Sequence, residues 1–146
     1  MKNGIKDVSL ISFFLHQILA NIVLQEKKSL KFTKSQRLLT AFDYQEVFTK
    51  QTFCYKTHSF TLLAKENSCN HPRLGIVVSK RNAKLATQRN RIKRIIRESF
   101  RINQHLLPGV DLVILSKPAL NNVDNKDFFH NMVQCYQKLV NFYSKK

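Results

Sequence analysis

Apolar residues recur along this chain at two periods, and each change of period marks an element. Within residues 79–101, Ile92, Ile95, Ile96, Ser99 and Phe100 step by three and four, so they share one helical stripe that must be buried. Residues 74–79 (LGIVVS) and 111–116 (DLVILS) are short unbroken apolar runs, as expected of strands covered on both faces. Strand, helix and strand in that order imply two parallel strands joined by the helix, with Pro108-Gly109 as its stop signal. Upstream, Thr40 can cap a helix with Asp43 in its first turn, and Tyr44, Val47 and Phe48 then fall on one side. In residues 60–64, Phe60, Leu62 and Ala64 point one way and Thr61 and Leu63 the other; an earlier strand lies around residues 51–55. Asn70 and Pro72 supply the turn that separates this hairpin from the apolar run at 74–79. Phe128, Phe129, Met132, Val133, Tyr136 and Val140 set out a C-terminal helix over residues 124–143. The predicted order is α-β-β-β-α-β-α, an α/β (α+β) two-layer sandwich.

The polar positions of residues 79–101 turn the question from architecture to partner. This stretch carries nine Lys or Arg residues against one acid, Glu98. Arg89, Lys93, Arg97 and Arg101 step by four and lie together, joined by Asn90 and Arg94 on the outer flank, while Arg91 lies on another flank. A face so cationic repels itself unless something polyanionic covers it. A solvated charged face is the plain alternative. Against it, few acids are available to neutralise the face, and Arg outnumbers Lys. Arg grips phosphate bidentately and stacks on bases, which suits RNA. The whole chain agrees, since its 146 residues, enough for one domain with a real core, carry a formal net charge of +16. An acidic membrane surface is the weaker alternative partner. The nine acids are scattered, with no close pair of the kind that two-metal or acid–base hydrolysis requires. Cys54, Cys69 and Cys135 are widely spaced and give neither a zinc pattern nor a disulfide framework, which fits a reducing cytosol.

Residues 1–30 read as an apolar N-terminal extension, and the domain proper begins at residue 31. Residues 8–24 are rich in Leu, Ile and Phe after Lys2 and Lys6, and so imitate a signal peptide or membrane anchor. The run is short for a span, and His16, Gln17 and Asn21 interrupt it. An appended amphipathic helix, a disordered extension and a start placed upstream of the native one are the preferred readings. The sequence leaves all three open.

Arg89-Asn90-Arg91-Ile92-Lys93-Arg94-Ile95-Ile96-Arg97 closely resembles the RNR signature of the bacterial ribonuclease P protein component. His71-Pro72-Arg73-Leu74-Gly75, Val78-Ser79-Lys80-Arg81-Asn82, Arg97-Glu98-Ser99-Phe100-Arg101 and Asp111-Leu112-Val113 also resemble that family, in the family's order. Arg37-Leu38-Leu39, followed by Tyr44, Val47 and Phe48, resembles its N-terminal helix. The resemblance runs from residue 30 to the C-terminus. It implies the accessory protein of a ribozyme, whose RNA subunit performs the Mg2+-dependent hydrolysis that removes the 5′ leader from precursor tRNA. Mg2+ would be bound mainly by the RNA subunit and substrate. The protein would bind that RNA and the single-stranded leader in the cytoplasm, with no membrane and no obligate protein partner. The resemblance also implies a left-handed crossover between the two parallel strands, where general topology favours the right-handed one.

Carried over residue by residue, the resemblance puts Arg89, Asn90, Lys93, Arg94 and Arg97 against the catalytic RNA, positioning phosphates rather than reading bases. Lys80, Arg81, Arg91 and Arg101 join them as RNA contacts. The leader would lie in a cleft between the first helix and the open sheet face, at Arg37, Tyr44, Phe48, Thr61 and Leu63. Aromatic rings there offer sequence-tolerant stacking. Tyr44 stands where the family usually has Phe, and Leu63 where some members have an aromatic. A packed strand face is the alternative for Thr61 and Leu63. No protein residue is expected to be catalytic or to bind a metal directly. Three other functions compete: a structural RNA-binding protein of ribosomal type, a self-sufficient nuclease, which the scattered acids oppose, and a membrane role through residues 8–24.

Overall fold

The computed structural model describes residues 12, 14–16, 18, 19 and 31–145. The chain divides into two units, residues 1–31 and residues 32–146. In the first unit, Ser12, Phe14, Leu15, His16, Ile18 and Leu19 are helical, and Ile18 is buried. The choice among the three readings of the extension lies outside the described residues. No helix among the described residues is long and apolar enough to cross a membrane.

The second unit runs α1 (Ala41–Lys50), β1 (Phe53–Lys56), β2 (Phe60–Glu66), β3 (Arg73–Val77), α2 (Ala86–Asn103), β4 (Val110–Ser116) and α3 (Asn125–Ser144). Short 3-10 turns precede α1, follow α2 and precede α3. This is the order the apolar periods predict. α1 begins where Thr40 lets it: Asp43 N–H donates to Thr40 Oγ1 at 3.1 Å, and Thr40 N–H donates to the Asp43 carboxylate at 3.3 Å. Asn70, at φ 59°, turns the chain between β2 and β3 in the left-handed region that Asn tolerates.

The strands form one sheet in the order β1-β2-β4-β3, with β1–β2 and β2–β4 antiparallel and β3–β4 parallel. α2 is therefore the crossover between the two parallel strands. On one face, Phe60, Leu62, Ala64, Leu74, Leu112 and Ile114 meet the α2 stripe of Ile92, Ile95, Ile96 and Phe100. Phe128, Met132, Tyr136 and Leu139 of α3 complete that layer. Each such side chain, fully buried, contributes about 1.5–3 kcal/mol, so this layer carries most of the fold. The opposite face holds a smaller cluster: Leu63 and Val113 lie with Leu38 and with Val47 of α1, and Tyr44, Val77 and Leu115 sit at its margin.

β3 departs from the expectation of a strand deeply covered on both faces. It is an edge strand, and its Ile76 and Val77 are half-buried. Its unbroken apolar run arises because Leu74 faces the main core while Val77 faces the smaller cluster beneath α1. An ion pair ties the parallel strands together. Arg73 Nε and Nη2 donate to the two oxygens of buried Asp111 at 2.8 and 2.7 Å, and Asn67 Nδ2 donates to Asp111 Oδ1 at 2.8 Å. Arg73 Nη2 also lies 3.9 Å from Asp43 Oδ1, which links α1 to the sheet. Burial pulls the Asp43 carboxyl upward, but the Thr40 hydrogen bonds and Arg73 outweigh it and hold the group below its ordinary value.

Candidate nucleic-acid interface

Because Ile92, Ile95, Ile96, Ser99 and Phe100 are all in the core, helical geometry turns the other side of α2 outward. Asn90, Arg94 and Arg97 are exposed there, and Arg89, Lys93 and Arg101 are half-buried. Lys80 and Arg81 are exposed on the turn that leads into α2. Three hydrogen bonds help to fix that turn. Asn82 Nδ2 donates to Ser116 O at 2.8 Å, and Arg89 Nη1 donates to Ala83 O and Lys84 O, both at 2.9 Å.

Three of the predicted cations are thus partly engaged within the protein. Besides Arg89, Arg91 Nη2 donates to Val123 O and Asn125 Oδ1 at 2.9 Å each, joining α2 to the start of α3. Arg101 Nε and Nη2 donate to Glu98 at 3.0 and 2.5 Å. Those hydrogen bonds hold the Glu98 carboxyl below the usual carboxylate range. A guanidinium has five N–H donors, so Arg89 and Arg91 keep donors for a phosphate beyond those they use here.

A groove of about 220 Å³ lies between α1, β3 and α2, lined among others by Phe32, Arg37, Tyr44, Ile76, Lys93 and Arg97. It joins two residues expected at the leader cleft, Arg37 and Tyr44, to two expected on the RNA-binding helix, Lys93 and Arg97. The Arg37 guanidinium stands over the Phe32 ring, 4.8 Å from its centroid. Ile76 N–H donates to Tyr44 Oη at 3.3 Å. The Tyr44 ring rests on Gly75, where an added Cβ would come within 2.6 Å of Tyr44 Cε1. Gly75 is therefore the seat of this ring.

The other three expected cleft residues lie outside that lining. Phe48 is 38% exposed on α1, and Thr61 is half-buried on β2. Leu63 is 6% exposed and packs with Leu38, Val47 and Val113, as in the packed strand face given as its alternative. Phe32 and Ile76 line the groove and were not singled out from the sequence. The Phe32 signal was its position five residues before Arg37, which alone is weak. Among the described residues, no group of three or more His, Cys, Asp or Glu side chains could hold a metal ion. The cationic face of α2 likewise offers no oxygen donor set that suits Mg2+.

The fold and this basic surface define a class of small α/β proteins already known from solved structures. The Staphylococcus aureus RNase P protein aligns with a TM-score of 0.64 and 26% identity, over 72% of this chain and 94% of that one. The RNase P protein of Thermotoga maritima aligns with a TM-score of 0.63 and 28% identity, over 70% of this chain and 96% of that one. The family model for Ribonuclease P matches residues 32–140. The ribonuclease P protein component of Pseudomonas entomophila is 40% identical over 109 residues, 75% of this chain and 82% of the relative. That of Haemophilus influenzae is 40% identical over 116 residues, 80% of this chain and 97% of the relative. The chain belongs to the ribonuclease P family, as a protein component of that ribonucleoprotein endoribonuclease.

Proposed function

We propose that residues 31–146 bind the catalytic RNA subunit of ribonuclease P and the 5′ leader of precursor tRNA. In this reading Arg89, Asn90, Lys93, Arg94 and Arg97, with Lys80 and Arg81 on the preceding turn, meet backbone phosphates of the RNA subunit. Arg91 and Arg101 divide their donors between RNA and the protein. The leader enters the groove under α1, where Arg37 meets phosphate and Tyr44 offers a ring face, and continues outside it past the Phe48 ring on α1 and Thr61 on the adjoining sheet surface. The RNA subunit carries the chemistry, Mg2+-dependent hydrolysis that leaves the mature tRNA 5′ end, and Mg2+ is held mainly by RNA and substrate. The protein supplies positioning and charge neutralisation, in the cytoplasm, with no membrane or obligate protein partner.

One observation carries this reading: Arg37 and Tyr44 share one groove with Lys93 and Arg97. A strand threaded past the Tyr44 ring meets the cations of α2 without leaving the protein surface. The test is precursor-tRNA cleavage at low Mg2+ with the cognate RNA subunit, with and without the protein. Strong stimulation that requires the RNA subunit is expected. Cleavage without the RNA subunit would overturn the division of labour, and tight binding to ribosomal RNA without stimulation would point to a structural ribosomal-type role.

A further inference from the structure

Three rows of side chains cross the face of the sheet that carries α1, and the two outer rows differ in charge. The middle row, with Leu63, Val113 and Gly75, lies under Val47 and Tyr44 of α1. In one outer row Lys65, Asp111 and Arg73 stand in register, and each cation has a carboxylate. Lys65 Nζ lies 3.3 Å from Glu46 Oε2, and Arg73 takes both oxygens of Asp111. In the other outer row Lys56, Thr61, Leu115 and Val77 stand in register across all four strands, with no acid among them. Thr61, Leu115 and Val77 are half-buried, so this row stays partly open to solvent beside α1.

Lys56 reaches this face by strand alternation. Phe53 and Tyr55 pack against the main core, so Cys54 and Lys56 point the other way, and both are exposed. Among the described residues no hydrogen bond or ion pair engages the Lys56 ammonium. A second ammonium is held at the same hairpin. Lys117 Nζ donates to the carbonyl of Thr57, the residue after Lys56, at 2.6 Å and keeps two further donors. Tyr44 and Phe48, four residues apart, share the side of α1 that borders this row. Tyr44 Oη accepts from Ile76 N–H, next to Val77, and Phe48 stands one turn further toward the end of α1 that leads into β1. The strip therefore has cations at both ends: Arg37, Lys93 and Arg97 in the groove, and Lys56 and Lys117 at the hairpin. A neutral floor and two rings lie between, a layout that suits a single strand with its phosphates at the ends and its bases over the floor.

We propose that Lys56, with Lys117 beside it on the β1–β2 hairpin, holds a phosphate of the leader and fixes how far along the leader the protein reaches. The inference rests on the leader binding proposed above and adds its far end. Lys56 is on this account a positioning residue that registers leader length and not leader sequence.

The test gives holoenzyme, assembled from the cognate RNA subunit and full-length protein, non-cleavable precursor tRNAs whose leaders lengthen one nucleotide at a time. With wild-type protein, affinity should rise with leader length and then level off. Lys56→Gln should remove the last rise, about threefold, and leave shorter leaders bound as before. It should also lower the salt slope for long leaders by about 0.7, the value for one phosphate of a single strand. Lys56→Arg should restore both. An equal loss at every length, or no loss, overturns the proposal, because a general charge effect or a structural role would not depend on length. The native cysteines give a second readout. Cys54 shares the face of Lys56, Cys69 is exposed on the turn between β2 and β3, and Cys135 is buried. Replacing bound mature tRNA by long-leader precursor should slow alkylation of Cys54 and leave that of Cys69 unchanged. Cys54 that reacts equally with both puts the strand elsewhere and overturns the proposal. If affinity for the precursor does not grow with leader length even in wild-type holoenzyme, leader binding itself is wrong and both readings fall.

Discussion

The outer face of α2 and the groove under α1 meet at Lys93 and Arg97, yet they are made in opposite ways. The α2 face needs nothing but a helix. Once Ile92, Ile96 and Phe100 are buried, Arg94 and Arg97 project into solvent, and neither depends on a distant partner for its direction. The groove is shaped by contacts between remote parts of the chain. Tyr44 rests where it does because Gly75 has no side chain, and α1 is tied to the sheet through Asp43 and the Arg73–Asp111 pair. A surface of the first kind should tolerate single substitutions and respond to salt. One of the second kind should be brittle and less salt-dependent, because stacking adds there to the phosphate contacts of Arg37, Lys93 and Arg97.

The sharpest way to break this contrast is to remove the tie under the groove. Arg73→Met leaves the carboxylate of Asp111, 3% exposed, with Asn67 as its remaining side-chain partner. The expected loss is about 3–5 kcal/mol of folding stability, read from urea unfolding. In the folded fraction, leader affinity should fall while the salt dependence of RNA-subunit binding is kept. If the salt slope falls as well, the two surfaces are one cooperative unit and the contrast is wrong. Gly75→Ala strikes the same groove more gently. The new methyl group would lie 2.6 Å from the Tyr44 ring, and relieving that clash should cost about 1–3 kcal/mol. Adding Tyr44→Ala should recover part of that loss, since only Leu38 Cδ1, at 3.0 Å, then crowds the methyl group; a strictly additive double variant would place the strain elsewhere.

The same contrast explains what could be read from the chain. The α2 stripe and its cations were legible because helical periodicity is local, and all five expected stripe residues are buried. The side of β2 to which Leu63 belongs was legible too, by alternation. That Leu38 and Val47 cover it was not, because this depends on where α1 lands. Arg91 reads in sequence as an RNA contact on another flank of the helix from the other RNR cations. Its engagement with Val123 and Asn125 exists only once α3 has docked. The Arg73–Asp111 pair joins two segments noted as family-like, but nothing in their spacing shows that parallel strands place them side by side. Local periods carry the elements, and tertiary contacts decide which polar residues remain available.

Smaller effects separate stacking from packing along the proposed leader path. Tyr44→Ala and Phe48→Ala should each weaken binding of a single-stranded leader by roughly 1–3 kcal/mol if a base stacks on the ring. Titration of labelled leader RNA at two salt concentrations checks this. The loss should be the same at both, because neither ring carries charge. A loss of melting temperature with unchanged leader affinity would make these rings core residues of α1.

The smallest expected effect tests the α2 face itself. Arg97 is exposed and, among the described residues, makes no hydrogen bond or ion pair, whereas Arg91 donates twice to α3 and the turn before it. Arg97→Ala should therefore leave stability unchanged and reduce the slope of log affinity against log salt for the RNA subunit by about 0.7–0.9, one phosphate contact. Arg91→Ala should do the reverse, losing about 0.5–1.5 kcal/mol of stability for each hydrogen bond while changing the slope less. The two arginines belong to the same motif and carry the same charge, so a net-charge account of binding predicts equal slopes for both variants. Unequal slopes would show that geometry, not total charge, decides which cations of α2 meet RNA.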